Sequence, residues 1–187
     1  MLPTYFKLGL THILDFQGVD HMLFLAVLIA GFKWNEWKIM LWTITAFTLG
    51  HSLTLAITVL NGPIIESKWV EFLIPLTIFS AALSNLIWKR RQAGAAASIT
   101  TFFGLIHGMG FAGYLSALLP AKSELWQPLL FFNLGVEAGQ LIFASLLLAL
   151  IFIKRSASKS AVRIAQISLS VVGLVISLFL AITNWFS

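Results

Sequence analysis

The stretch Lys38-Ile-Met-Leu-Trp-Thr-Ile-Thr-Ala-Phe-Thr-Leu-Gly-His51-Ser-Leu-Thr-Leu-Ala-Ile-Thr-Val-Leu60 decides the fold. It is long enough to cross a bilayer, which takes roughly 20 mostly apolar residues as a helix. After its first residue it holds no Lys, Arg, Asp or Glu, yet it carries a histidine at its middle. Working outward, five more segments have the same character: 8–32, 70–88, 98–118, 129–153 and 164–185. The fold class expected is therefore all-α, a polytopic bundle of six transmembrane helices forming one domain over 1–187. Composition agrees. Of the 187 residues 59% are apolar and only 10% charged, with a mean hydropathy of +0.93. A soluble domain carries about 25% charged residues, so neither a water-soluble fold nor intrinsic disorder fits. The absence of cysteine excludes disulfides, iron–sulfur clusters and thiolate metal sites.

The net charge of +5 is explained by topology. Lys33, Lys38, Lys89, Arg90, Arg91, Lys154, Arg155, Lys159 and Arg163, nine of the 12 basic residues, fall in the loops of one face. That face is expected to be cytoplasmic, which puts both termini outside. The bilayer is then the expected partner, and no nucleic acid is required. Trp34, Trp37, Trp69, Trp88, Trp126 and Trp185 lie near span ends, where interfacial belts form. Residues 1–6 lack a basic stretch, and no small-residue cleavage pattern follows, so no secretory signal is expected there.

Ionisable groups inside a span cost about 2.5–3.5 kcal/mol each on insertion scales and mark function by default. All four histidines (His12, His21, His51 and His107) fall inside spans, as do Asp20, Glu71 and Glu137. Asp20–His21, His51 and His107 are expected near mid-membrane, with Glu137, Glu71 and His12 toward the outside. A single buried His or a GxxxG ordinarily serves helix packing, and Glu71 or His12 can sit solvated at the interface. Three His and two carboxylates at one depth point instead to a ligand or proton site. Asn133, Glu137 and Gln140 share one helix face, and Thr48, His51 and Thr54 share another. Thr48, Ser52, Asn133 and Gln140 are expected to support the ligands from behind. Gly104 and Gly108 permit close helix approach beside His107, and Gly18 lets the first span break. Imidazole and carboxylate suit a divalent transition ion: Ni, Co, Zn, Fe or Cu.

The chain resembles the HupE/UreJ family. The resemblance rests on His12-Ile-Leu-Asp-Phe-Gln-Gly-Val-Asp20-His21, Thr45-Ala-Phe-Thr-Leu-Gly-His51-Ser52, Glu71-Phe-Leu-Ile-Pro75, Phe103-Gly-Leu-Ile-His107-Gly-Met-Gly and Phe132-Asn-Leu-Gly-Val-Glu137-Ala-Gly-Gln140. It implies a small protein of the bacterial inner membrane and a metal permease of the nickel type. It also implies metal-ligand roles for His21, His51, His107, Asp20 and Glu137, and extends to His12 and Glu71. The Gly50-His51-Ser52 triplet is similar to a motif of the wider nickel/cobalt transporters. Transport is the expected activity. An intramembrane metal-dependent enzyme using the same cluster is the alternative, and a homo-oligomer or a role in metalloenzyme assembly stays open. The motifs do not repeat cleanly, although two three-span halves, each with a mid-membrane His, are compatible with a site at the midplane.

Overall fold

A computed structural model describes residues 2–15, 18–87, 93–119, 125–153 and 159–186. Among the described residues seven α-helices follow one another: α1 (Leu2–Leu14), α2 (Val19–Ala30), α3 (Trp37–Asn61), α4 (Ser67–Ile87), α5 (Ala93–Leu118), α6 (Trp126–Ile153) and α7 (Lys159–Phe186). A 3₁₀ turn, Trp34–Glu36, leads into α3. No strand occurs among the described residues. Helices α3 to α7 are each long and apolar enough to cross a membrane, and α1 with α2 passes the same test as a bent pair. The protein is thus a polytopic helical membrane bundle.

The expected first span is where the structure departs most from a continuous helix. It starts at Leu2, earlier than position 8, and it is broken: α1 and α2 are inclined at 67° to one another. Gly18 caps α2 with φ −96° and ψ 59°. The exposed N-terminus of α2 is then partly satisfied from within, because the Asp20 carboxylate accepts the His21 backbone N–H at 3.0 Å. A carboxylate in a first helical turn also meets the positive end of the helix dipole. Despite the break, the pair runs from one end of the bundle to the other. The Tyr5 hydroxyl donates to the Leu118 carbonyl at the end of α5 (3.4 Å), and Gln166 near the start of α7 donates to the Phe32 carbonyl just beyond α2 (2.8 Å).

The core is mostly apolar, with a set of polar side chains buried in it, and the outer surface is apolar as well. Thr43, Thr48, His51, Thr54, Thr77, His107, Gln140 and Ser177 are buried, while Trp42, Leu49, Leu53, Phe102, Leu150 and Phe179 are exposed. Trp37, Trp69, Trp126 and Trp185 are also exposed, as an interfacial position requires. Trp88 and the loop charges Lys89, Arg90, Arg91, Lys122, Glu124, Lys154 and Arg155 lie outside the described residues.

Three helix pairs build the frame. In the α3–α5 pair, a Cβ at Gly50 would fall on the Thr101 carbonyl and one at Gly104 on the Phe47 carbonyl. In the α1–α6 pair, a Cβ at Gly9 would fall on the Phe132 carbonyl and one at Gly135 on the Phe6 carbonyl. Membrane helices gain little from burying apolar surface against each other, so backbone-to-backbone approach of this kind does the work. In the α4–α7 pair the link is polar. Pro75 offers no N–H to the carbonyl one turn earlier. That carbonyl, on Glu71, instead accepts the Asn184 amide at 2.7 Å.

Candidate metal site

The break places three histidines together. His12 lies in the last turn of α1, His21 in the first turn of α2, and His51 at the middle of α3. One ring nitrogen from each lies within 4.8 Å of the other two. The His12 and His21 rings stand edge to face with centroids 4.4 Å apart, and each is about 6 Å from the His51 ring (5.9 and 6.1 Å). His107 of α5 adjoins this trio, its ring 5.3 Å from that of His21. Phe111 packs on His12 at 3.9 Å, and Phe47 lies 5.1 Å from His107.

His51 and His107 are fully buried, and His21 is nearly so. Buried polar atoms in folded proteins are normally hydrogen-bonded. Here Nε2 of His12, Nε2 of His21, both ring nitrogens of His51 and Nδ1 of His107 have no close hydrogen bond, although Asn133 of α6 approaches His51. A set of converging, unpaired imidazole nitrogens is the donor set a divalent transition ion takes.

Two of the rings are aimed by neighbours. His21 Nδ1 lies 3.2 Å from the Asp20 carboxylate, which turns Nε2 toward the cluster. A carboxylate behind a His in this way raises its donor strength and fixes its tautomer. His107 Nε2 lies 2.8 Å from the Thr77 hydroxyl, whose own proton goes to the Ile74 carbonyl at 2.7 Å. Thr77 therefore accepts from His107 Nε2–H, and the lone pair of His107 sits on Nδ1.

The other carboxylates are held differently. Glu137 accepts hydrogen bonds from Thr45 (2.6 Å) and from Thr48, one turn of α3 before His51. Thr48 also lies 2.7 Å from Gln140 Oε1. A hydroxyl has one proton, so with Thr48 donating to Glu137 the Gln140 amide is turned to donate to Thr48. Asn133 donates to the Leu129 carbonyl at 2.8 Å. Glu71 is exposed at the start of α4, where Ser67 donates to it at 2.9 Å. Ser52 is half-buried on α3. The structure thus gathers His12, His21, His51 and His107, with Asp20 behind His21. It leaves Glu137 on the α3 hydroxyls and Glu71 at the rim. Thr77 and Thr45 were not legible as site residues, because their partners lie on other helices and no spacing announces them.

A bent-helix membrane bundle with a buried histidine cluster is the class of protein that fold and site define. The HupE / UreJ protein family matches the chain over residues 1–183, nearly its whole length. The chain belongs to that family. No curated protein and no solved structure matches it.

Proposed function

We propose that this protein is a permease of the bacterial inner membrane for a divalent transition metal of the nickel or cobalt type. The carrying observation is the meeting of His12, His21 and His51, whose unpaired ring nitrogens converge where a span is broken. Broken helices at mid-membrane are how transporters expose backbone groups and ligands to a passing ion. In this reading the three imidazoles bind the ion, His107 adjoins them, and Asp20 offsets part of its charge through His21. Glu137 and Glu71 lie on the approach, with Thr48, Ser52, Asn133 and Gln140 lining it. Neutral imidazoles bind reversibly, and a cargo has to leave again.

The test is uptake of Ni²⁺ and Co²⁺ by the purified protein in vesicles, beside metal content measured by mass spectrometry. Wild type is expected to bind and move the ion, and His51→Ala to do neither. Equal uptake by wild type and His51→Ala removes this reading. Tightly held stoichiometric metal with no flux turns it into an intramembrane metal-dependent enzyme.

A further inference from the structure

Along the bundle axis the histidine cluster lies between two layers of phenylalanine rings. On α3 and α5 the spacing is the same: Phe47 stands four residues before His51, and Phe103 four residues before His107. The two helices run parallel, since Gly104 meets the Phe47 carbonyl and Gly108 the His51 carbonyl. Four residues of helix rise about 6 Å, which puts both rings one turn from the histidines, toward the Trp37 end of the bundle. Phe24 joins them there. It stands three residues after His21 on α2, and α2 runs to the end where the turn Trp34–Glu36 leads into α3.

These three rings form one layer. Phe24 and Phe47 stack with centroids 4.8 Å apart, and Phe103 stands edge to face with Phe24 at 6.2 Å. The His107 ring lies against both, 5.2 Å from Phe24 and 5.1 Å from Phe47, and the His51 ring is 6.1 Å from Phe47. Phe24 and Phe47 are fully buried. A thinner layer covers the other side of the cluster. Phe111, four residues after His107, packs on His12 at 3.9 Å and stacks on Phe132 at 5.2 Å. On the neighbouring face of α3, Thr45 and Thr48 turn to Glu137 of α6, beside the ring layer rather than within it.

A layer of phenyl rings offers no donor or acceptor to the water around an ion, and hydrophobic constrictions close a passage by dewetting it. The ring faces do attract a bare cation. Such a layer therefore sorts ions by their hold on water. Mg²⁺ gives up its water reluctantly and is stopped. An ion that trades its water for imidazole nitrogens meets the layer already stripped.

We propose that Phe24, Phe47 and Phe103 set the ion specificity of this protein: they seal the histidine site toward the Trp37 end against water and against ions that keep their water. The seal stands on the ring geometry, whereas its use in specificity rests on the proposed transport.

The experiment has two arms, both on the full chain. In the first, entry of Mg²⁺ and Ni²⁺ into vesicles is measured for wild type, for Phe24→Ala with Phe47→Ala, and for Phe179→Ala, which removes an exposed ring of α7. Wild type and Phe179→Ala are expected to exclude Mg²⁺. The double variant is expected to lose that exclusion, so that Mg²⁺ enters beside Ni²⁺. In the second arm His51→Cys is placed in this cysteine-free chain and treated with a membrane-impermeant thiol reagent in vesicles of each orientation. An Asn35→Cys chain marks the Trp37 face, because Asn35 is exposed there. Removing the two rings is expected to speed modification of His51→Cys from the Trp37 face and to leave the rate from the opposite face unchanged. Should the double variant fail to fold, as judged by melting in detergent, Phe103→Ala at the part-buried ring takes its place in both arms. A folded variant that still excludes Mg²⁺ overturns the specificity role, and an unchanged rate from the Trp37 face overturns the seal. A wild type that carries no Ni²⁺, while His51→Cys still responds to loss of the rings, counts against the transport reading alone.

Discussion

At the residue scale the Asp20–His21 pair has two duties. The carboxylate accepts the His21 backbone N–H and also lies against the ring Nδ1. Removing its charge should leave the helix start in place while weakening the ligand. Asp20→Asn is expected to lower metal affinity about 10- to 100-fold, the usual effect of losing a carboxylate behind a histidine ligand. Titration of the detergent-solubilised variant with Ni²⁺ checks it, and an unchanged affinity would mean that His21 does not bind the ion. Thr77→Val asks a different question. It keeps the shape but strands the buried His107 Nε2–H, at a cost of about 1–3 kcal/mol. A melting temperature below that of wild type in detergent is the expected result. The pairing of Thr77 with His107 was invisible in the sequence, since it joins α4 to α5 across separate stretches of chain.

At the scale of elements, glycine decides which helices touch. Gly50 and Gly104 sit where α3 and α5 approach backbone to backbone, and Gly9 and Gly135 where α1 and α6 do. Gly104→Ala drives a methyl into the Phe47 carbonyl and is expected to destabilise by about 1–3 kcal/mol, the ordinary cost of overpacking. Gly135→Ala should cost a similar amount at the Phe6 carbonyl, and Gly94→Ala nothing. Unfolding of the three variants in detergent ranks them, and a Gly104→Ala protein as stable as Gly94→Ala would contradict the close crossing. The GxxxG around His107 was readable as close packing, but its partner was not. Apolar length located every span, because bilayer thickness sets it. The same rule reads 8–32 as one continuous span and has no means of showing a 67° bend, which Gly18 permits and Asp20 stabilises.

For the whole molecule, the exposed surface is apolar and the interior holds the threonines and histidines, an arrangement suited to lipid and not to water. The biased loop charges argue for both termini outside. A cysteine appended after Ser187 is expected to react with an impermeant maleimide added to whole spheroplasts, and protection until lysis would reverse the orientation.

The sequence by itself determined that the chain lives in a membrane, where its spans lie and which ionisable residues sit within them. Those properties are one-dimensional: they follow from how many apolar residues stand in a row and which exceptions interrupt them. Only the tertiary structure decided that His12, His21 and His51 meet while Glu137 rests on Thr45 and Thr48. A hydropathy pattern carries no information about which helix faces which. That choice is made by a few close approaches, at Gly9, Gly50, Gly104 and Gly135, which bring backbones together and fix where each side chain points.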